Sequence, residues 1–423
     1  MKICLINPPH AYLKQPTAQA PLGLMYIAAS LREKNMDVTL LDLSSKYWED
    51  PFEFPLADIY GITGTVLDRN PCIEVAKRIK SSNNNCKVIL GGPISLTPEL
   101  IQDKEIDSII SGEGERIIFD VINDYPNLRK YYKSQRITDL DNLPFPARDM
   151  INDKGGNIFA FNKVYKSGGS SVIITSRGCP YNCSFCASPG IWNRKVYMRS
   201  VSNVIAEIDE IVSKYRIRQI RFSDDTLTLD TKRLSSLCKE IKKYDIIWRA
   251  SIRTRPNSTY MFKEMYESGC REVSFGVESA DPNVLKILRK GNSVQDNYNG
   301  IVNAKKSGMV VRILFMIGTP GETEDTADRN IEFLQSIPES YDTIALTNFI
   351  PIPGSAISKH PSNFSCRITD TDIDHYNFYM WGPTGLNHWD SFIKLTNLDD
   401  EVFERNKKKM REFVLSSGKS NRG

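Results

Sequence analysis

Histidine is scarce in this chain. Four occur in 423 residues, and none lies between His10 and His360, so a zinc site of mixed cysteine and histidine has few ligands to draw on. Long apolar runs are also missing: none approaches the ~18 residues that a membrane span needs. The first ten residues hold one lysine, a short strand-like run and Pro8-Pro9, without a signal-peptide cleavage pattern. Nine cysteines are an odd number, and six of them are scattered, which excludes a disulfide framework and places the chain, as an expectation, in the reducing cytoplasm. No charge of one sign dominates, since 55 Lys and Arg face 51 Asp and Glu. The lysine clusters at Lys242-Lys243, Lys305-Lys306 and Lys407–Lys409 fall on helix-like stretches and read as solvated faces rather than a nucleic-acid stripe. Internal repeats are absent, and only the last few residues are of low complexity and expected to fray. What remains is an ordinary globular composition, 40% hydrophobic and 25% charged, with length for two or three domains.

The most informative stretch is Ile174–Ser188, read as I-T-S-R-G-C-P-Y-N-C-S-F-C-A-S. It follows a β-branched run, Val172–Thr175, that reads as a strand. Cys179, Cys183 and Cys186 stand at spacing Cys-x3-Cys-x2-Cys. Three thiolates on one tight loop suit a 4Fe-4S cubane in which one iron stays open to a small-molecule chelate. Structural zinc is the competing reading, but it wants four protein ligands, usually in two close pairs, and the nearest other cysteine is Cys238.

This spacing, with Phe185 just before the third cysteine, resembles the radical S-adenosylmethionine (SAM) superfamily. The resemblance implies that SAM chelates the open iron through its amino and carboxylate groups. It also implies that an electron from the reduced cluster cleaves SAM to a 5′-deoxyadenosyl radical, and that Phe185 lies near the adenine.

Residues 1 to about 130 alternate strand and helix, with strands over Ile3–Asn7, Val38–Leu43, Ile59–Thr63, Lys87–Leu90 and, last, Ile106–Ile110. Helices are expected over Leu22–Lys34, Pro71–Lys80 and, last, Glu115–Asn123. Such alternation makes an α/β, doubly wound parallel sheet with ligands at the carboxyl ends of its strands. Those ends carry Asn7-Pro8-Pro9, Gly64-Thr65, Gly91-Gly92-Pro93 and Gly112-Glu113-Gly114-Glu115. Taken singly they read as tight turns. In this order they resemble the Rossmann-like cobalamin-binding domain that precedes the radical core in cobalamin-dependent radical SAM enzymes, the class B methyltransferase type. The resemblance makes Pro8, Gly64, Thr65, Gly91, Gly92, Pro93, Gly112, Glu113, Gly114 and Glu115 candidates for the corrin site. The Asp-x-His-x-x-Gly signature is absent, so no cobalt-ligating histidine is expected from this lobe. The Asp42–Asp58 connection, with Pro51 and Pro55, leaves room for one helical turn at most.

Residues 136–168 read as a linker, because Pro144 and Pro146 forbid regular structure, with Phe145 as an anchor; the segment also resembles that of the same class. From 169 to 355 six strand candidates recur, Val172–Thr175, Gln219–Ser223, Ile246–Ser251, Glu272–Val277, Val310–Ile317 and Thr343–Phe349, with helices between them. That pattern predicts a partial (β/α)6 barrel whose chemistry sits at the C-terminal rim of its strands. Polar residues fall at that rim. Asp224 and Asp225 suit either helix capping or, by resemblance, the SAM amino group. Ser251 and Arg253 suit a ribose hydroxyl or the SAM carboxylate. Glu278 is the strongest candidate outside the cysteines, with helix capping or pairing to Arg271 as the competing roles. Gly318 and Pro320 begin Gly-Thr-Pro-Gly-Glu-Thr, which resembles a family turn beneath the adenine before a helix starting at Glu322.

Residues 356–423 carry Tyr376, Phe378, Tyr379, Trp381, Trp389 and Phe392 and read as a C-terminal cap ending in an amphipathic helix, Asp399–Leu415. The domain boundaries expected are therefore 1–135, 136–168, 169–355 and 356–423. The resemblance implies methyl transfer from cobalamin to an unactivated carbon of a small-molecule or peptide substrate, with an electron donor such as flavodoxin or ferredoxin. Radical ring formation or rearrangement without methyl transfer is the second enzymatic reading. A non-catalytic iron-sulfur or RNA-binding protein is the reading from another class.

Overall fold

The computed structural model describes residues 1–10, 20–47, 50, 53–151, 169–372 and 392–420. The chain forms two compact units, one built on Met1–Ile158 and the other on Phe159–Thr371 with Leu386–Gly423.

The first unit is a six-stranded parallel sheet. Its strands are β1 (Lys2–Asn7), β2 (Asp37–Asp42), β3 (Ile59–Thr63), β4 (Lys87–Gly91), β5 (Ser108–Ser111) and β6 (Tyr131–Lys133), ordered β2-β1-β3-β4-β5-β6. Helices α1 (Leu22–Glu33), α2 (Arg69–Ser82) and α3 (Gly114–Asp124) supply crossovers. Consecutive residues of β1, Ile3 to Ile6, are all at most 1% exposed. That continuous apolar run is the mark of a sheet covered on both faces. Strand order reverses between β1 and β3, and the carboxyl ends there form the crevice where doubly wound sheets take ligands.

Two details depart from the sequence reading. Ile106–Ile110 is not the last strand, because β6 adds a further edge. Three residues are too few to show a period, and what holds β6 is tertiary: Tyr132 is 1% exposed and donates its hydroxyl to Asp124 at 2.8 Å. The crossover from β2 to β3 contains no helix among its described residues. Tyr60 organises it, donating to the Pro55 carbonyl at 2.7 Å and accepting the Ala57 N–H at 3.1 Å.

Residues 136–151 lie along the first unit. The Glu113 carboxylate accepts the Ile137 N–H at 2.7 Å, and the Ala147 N–H donates to the Met25 carbonyl at 3.1 Å. Phe145 is half-buried, and the remainder of the linker, 152–168, lies outside the described residues.

The second unit carries six parallel strands in chain order: β7 (Ser170–Ile173), β10 (Gln219–Phe222), β11 (Ile247–Ile252), β12 (Cys270–Glu278), β13 (Val310–Ile317) and β14 (Thr343–Asn348). The short pair β8 (Ser176–Arg177) and β9 (Tyr197–Met198) stands apart from them. Helices α4 (Ser188–Trp192), α5 (Val201–Ser213), α6 (Thr231–Ile241), α7 (Thr259–Glu267), α8 (Pro282–Ile287), α9 (Val294–Lys306) and α10 (Thr326–Ser336) intervene. This is the partial barrel anticipated. Along β13, Val311, Ile313, Phe315 and Ile317 are buried and the alternate residues are half-buried, the period-two signature of one face under helices and one face more open.

The last helix, Asp400–Ser416, is capped by Asp399 accepting the Glu401 N–H at 2.8 Å. Its spacing sets Phe403, Lys407, Met410 and Val414 on one buried face. Lys407 is therefore not part of a solvated patch; its ammonium meets Glu404 at 2.9 Å, whereas Lys408 stays exposed. Beyond the helix, the Lys419 carbonyl accepts the Ile344 N–H at 2.8 Å and covers the edge of β14. Phe392 is buried; Tyr376, Phe378, Tyr379, Trp381 and Trp389 lie outside the described residues. Among the described residues no helix is long and apolar enough to cross a membrane.

Candidate functional site

The cysteine loop leaves β8 at Gly178, whose φ of +103° is open to glycine. A Cβ there would overlap the Lys195 carbonyl oxygen. Ser184, fully buried, then pins the loop: its N–H donates to the Leu288 carbonyl at 2.9 Å and its hydroxyl to the Ile287 carbonyl at 3.0 Å. Cys183 is buried and Cys179 and Cys186 are half-buried, all three as free thiols.

Each sulfur has a polar group of this chain beside it. The Thr226 hydroxyl lies 3.5 Å from Cys179 Sγ, Arg253 Nη1 lies 3.6 Å from Cys183 Sγ, and the Ser188 N–H lies 3.4 Å from Cys186 Sγ. Burial pushes the Cys186 thiol up to about 11, and a metal cation is the group that would hold it as thiolate. No three His, Cys, Asp or Glu side chains among the described residues converge closely enough for a single ion. The three thiolates of a cubane bind three different irons and need not converge on one point.

The strand ends close around this loop. Arg253, just past β11, stacks its guanidinium 3.8 Å over the Tyr181 ring and donates to the Lys290 carbonyl. Lys290 is buried, with its ammonium 2.6 Å from Glu278 and 5.7 Å from the centre of the Phe185 ring. Glu278 ends β12 beyond an irregularity in its pairing with β13, at φ +65°. A non-glycine residue held there costs of order 1–3 kcal/mol and persists where its surroundings over-determine it. Arg271 plays no part in this pair; it donates to the Tyr266 carbonyl at 2.7 Å.

Asp224 is buried, and its carboxylate accepts the Thr175 N–H at 3.1 Å, the Thr175 hydroxyl at 2.7 Å and the Ser176 hydroxyl at 2.5 Å. It ties the end of β10 to the root of the cysteine loop, and burial raises its pKa against those bonds. Asp225 beside it is exposed. Neither aspartate caps the next helix, because Asp230 does so through the Arg233 N–H at 2.9 Å. Ser251 is exposed on β11.

Gly318 takes φ +74° at the end of β13. The helix that follows Pro320 starts at Thr326 and not at Glu322. Glu322 turns back instead, accepting the Thr319 N–H at 2.9 Å and its hydroxyl at 3.2 Å, and burial pushes its carboxyl up to about 7. Tyr181, Ser184, Thr226 and Lys290 were not singled out from sequence. Tyr181 and Ser184 lie inside the motif, where a closer look would have found them; Thr226 and Lys290 arrive only by folding.

In the first unit Gly64, Gly91, Gly92 and Gly112 fall at strand ends, but they do different work. A Cβ at Gly92, where φ is +84°, would stand 2.6 Å from Thr63 Oγ1, and one at Gly64 would stand 2.6 Å from Cys72 Sγ. Both are required by the turn itself. At Gly91 a Cβ would sit in ordinary van der Waals contact with Ile110, 3.8 Å from its carbonyl oxygen, so the turn itself does not require glycine there. Thr65 caps the turn after β3 through Asp68, at 2.7 Å and 2.8 Å. Glu113 is committed to Arg136 at 3.1 Å and to the Ile137 N–H, and Glu115 is buried. Pro8 is buried, Pro93 and Gly112 are exposed, and Gly114 is half-buried. His10 lies at the same edge with Nδ1 2.9 Å from Asp68 and Nε2 3.3 Å from Asn7. Both ring nitrogens are engaged within the unit.

Comparison with known proteins decides the family. Residues 173–334 match the radical SAM superfamily and residues 16–121 the B12 binding domain. An uncharacterised methyltransferase of Pyrococcus horikoshii, PH0819, is 32% identical over 395 residues, covering 84% of this chain and 82% of that protein. The chain belongs to the cobalamin-binding radical SAM family. A bacteriochlorophyllide d C-12(1)-methyltransferase of Chlorobaculum tepidum is 26% identical over 390 residues, covering 89% of this chain and 81% of its own. The solved radical SAM methyltransferase TsrM from Kitasatospora setae shares the fold, with a TM-score of 0.71 at 15% identity over 99% of this chain and 91% of that one.

As a radical SAM enzyme of this family the protein uses a 4Fe-4S cluster, SAM and cobalamin. The donor set fits the first: three unpaired thiols on one pinned loop, each with a polar neighbour. The first unit also suits its cofactor, since Gly64 and Gly91 stand at the carboxyl ends of β3 and β4 beside the strand-order reversal, where glycine lets a flat ligand approach the backbone.

Proposed function

We propose that this enzyme transfers a methyl group to an unactivated carbon of its substrate. The observation that carries this reading is the match, over more than four-fifths of both chains, to proteins named as methyltransferases. When bound, the cluster with SAM supplies a carbon radical and cobalamin supplies the methyl group. The protein's own residues position and exclude water. In this reading Cys179, Cys183 and Cys186 hold the cluster, and Ser184 fixes the loop that carries them. Thr226, Arg253 and the Ser188 amide tune the sulfurs by hydrogen bonding. Glu278, oriented by Lys290, faces the cationic end of SAM, with Phe185, Asp225, Ser251, Arg253, Gly318 and Pro320 around it, while Asp224 braces the loop. The strand ends Pro8, Gly64-Thr65, Gly91-Gly92-Pro93 and Gly112–Glu115 bound the corrin site, with Gly91 as the point of close approach and His10 withheld from cobalt by Asp68 and Asn7.

The test is anaerobic reconstitution with iron, sulfide and hydroxocobalamin. About four irons per chain and retained cobalamin with a base-off, histidine-off spectrum are expected. Label from methyl-labelled SAM should then pass to cobalamin. Protein that cleaves SAM yet retains no cobalamin sinks the methyl-transfer reading and leaves ring formation or rearrangement in its place.

A further inference from the structure

Helix α8 and the turn after it brace the cysteine loop. The Ser184 N–H donates to the Leu288 carbonyl at 2.9 Å and its hydroxyl to the Ile287 carbonyl at 3.0 Å, so this segment touches the residue next to Cys183. Beside these contacts a cleft of about 730 Å³ opens between α8 and the start of α9, with Pro282, Leu285, Lys286, Arg289, Gly291 and Val294 in its walls. A Cβ on Gly291 would lie 3.8 Å from Arg253 Nη2, and Arg253 Nη1 lies 3.6 Å from Cys183 Sγ. The cleft wall is therefore one side chain away from Cys183 by this path, and one hydrogen bond away from its neighbour by the path through Leu288 and Ser184.

The charge at this cleft has one sign. Lys286 and Arg289 are exposed, and neither side chain makes an ion pair or hydrogen bond among the described residues. No carboxylate is among the described residues that line the cleft. The acids that flank it in sequence are engaged: buried Asp281 accepts the Thr326 hydroxyl at 2.7 Å, and Asp296 accepts the Ser293 N–H and hydroxyl at 2.9 Å each. A third exposed cation, Lys359, ends α11 (Ala356–Lys359), whose Ile357 N–H donates to the Ser184 carbonyl at 3.0 Å. The Arg289 guanidinium reaches toward the same segment, 5.2 Å from the centre of the Phe364 ring. Arg289 also holds φ +51° just past α8, a position that favours glycine and costs another residue about 1–2 kcal/mol.

We propose that this cleft is the docking site of a small acidic flavoprotein that delivers the electron to the cluster. One electron leaves the carrier's reduced flavin, the cluster gains it, and no atom passes between the two proteins. The edge of a flavin ring suits Pro282, Leu285 and Val294. Carboxylates around that edge suit Lys286, Arg289 and Lys359, whose unpaired charges steer an acidic partner to this side of the cysteine loop. Interfaces between proteins commonly place an apolar centre inside a polar rim in this way. The electron enters beside Cys183, because Arg253 and the Leu288–Ser184 hydrogen bond are the groups behind the wall. This deepens the functional reading, since it rests on a cluster held by the three cysteines.

The experiment uses the full-length, iron-reconstituted protein with flavodoxin as probe. Titration calorimetry should show saturable binding that weakens as ionic strength rises from about 0.01 to about 0.15 M, where the screening length falls from about 30 to about 8 Å. Lys286→Glu combined with Arg289→Glu should weaken binding at least about tenfold and slow the bleaching of the cluster by fully reduced flavodoxin in stopped flow. Excess dithionite should still reduce that variant's cluster to the same extent. Lys232→Glu combined with Lys239→Glu, both exposed on α6, makes the same change in net charge and should leave flavodoxin affinity nearly unchanged. Iron content checks that the variants fold, and the salt trend of the unmodified protein needs no variant. Absence of binding in iron-replete protein, unchanged affinity in the first variant, equal weakening in the second, or self-association of the enzyme through this face in place of flavodoxin binding overturns the proposal. Iron content and 5′-deoxyadenosine formation with dithionite report separately on the cluster, and methyl label on cobalamin reports on methyl transfer, so the docking site can fail while both stand.

Discussion

The two parallel sheets of this protein are built from similar strands and end up with opposite interiors. In the first, β1 buries every residue from Ile3 to Ile6, because helices cover both faces. Such a sheet has no inside, and Asn7, Gly64, Gly91 and Gly112 stand at the carboxyl edge, where doubly wound sheets take their ligands. In the second, β13 buries every second residue, and the sheet curls so that its unburied face becomes a lining. Arg221, Arg249 and Arg312 lie on that lining, where Arg249 is held by Glu272 at 3.0 Å. Curvature, more than composition, decides whether a parallel sheet offers a rim or a cavity.

The sharpest break between the two regions is at their cysteines. Cys179→Ala, Cys183→Ala or Cys186→Ala should abolish cluster retention and 5′-deoxyadenosine formation, measured by iron content and product assay. Cys4→Ala or Cys72→Ala, fully buried in the first sheet's core, should keep iron and lose about 1 kcal/mol of stability to a small cavity. SAM cleavage surviving in the triple loop mutant would remove the cluster from the account.

Next in size is the buried pair at the rim of the second sheet. Glu278→Gln leaves the Lys290 ammonium buried beside a neutral amide, and breaking such a pair costs about 3–5 kcal/mol. Adding Lys290→Met should restore thermal stability. If the carboxylate meets SAM, affinity stays down about ten- to a hundredfold in both variants. Recovery of SAM affinity in the double mutant would assign Glu278 to packing alone.

Glu322 supplies a pH dependence confined to the second unit. Its carboxyl rises from 4.5 in a solvated chain to about 7 when folded. Between those values the folded protein holds a proton that the unfolded chain has released. Its contribution is fully present below pH 4.5, is lost as pH rises, and levels off above 7, amounting to about 3 kcal/mol at most. Glu322→Gln should flatten that slope in denaturant titrations run from pH 4.5 to 8; an unchanged slope would place the titration elsewhere.

The smallest effect separates two neighbouring glycines. Gly92→Ala forces a side chain into φ +84° and against Thr63, a stability loss of about 1–2 kcal/mol. A Cβ at Gly91 meets no such obstacle, so Gly91→Ala should leave stability nearly unchanged, while the bulkier Gly91→Leu should reduce cobalamin retention at unchanged iron content, read from visible absorbance after gel filtration. Normal retention in Gly91→Leu would move the corrin site away from β4.

The sequence alone determined a good deal. The Cys-x3-Cys-x2-Cys spacing, the strand-helix alternation and the glycine positions are local, so they specify two α/β units and the family before any packing is known. Local pattern also misled where folding overrides it. The three residues of β6 are too short to show a period. The helix expected at Glu322 waits until Thr326 because the carboxylate satisfies the Thr319 amide first. Lys407 reads as solvated by charge and is buried by its place on a helical stripe.

Tertiary structure alone decided which neighbours each residue meets. Lys290 lies 12 residues from Glu278 and has no motif of its own. Thr226 lies 47 residues from Cys179, and the three interior arginines come from separate strands. No spacing rule reaches across those distances, because strand order and sheet curl set them. Hydrogen bonds, ion pairs and like-charge gatherings act over a few ångströms in space and are blind to separation along the chain.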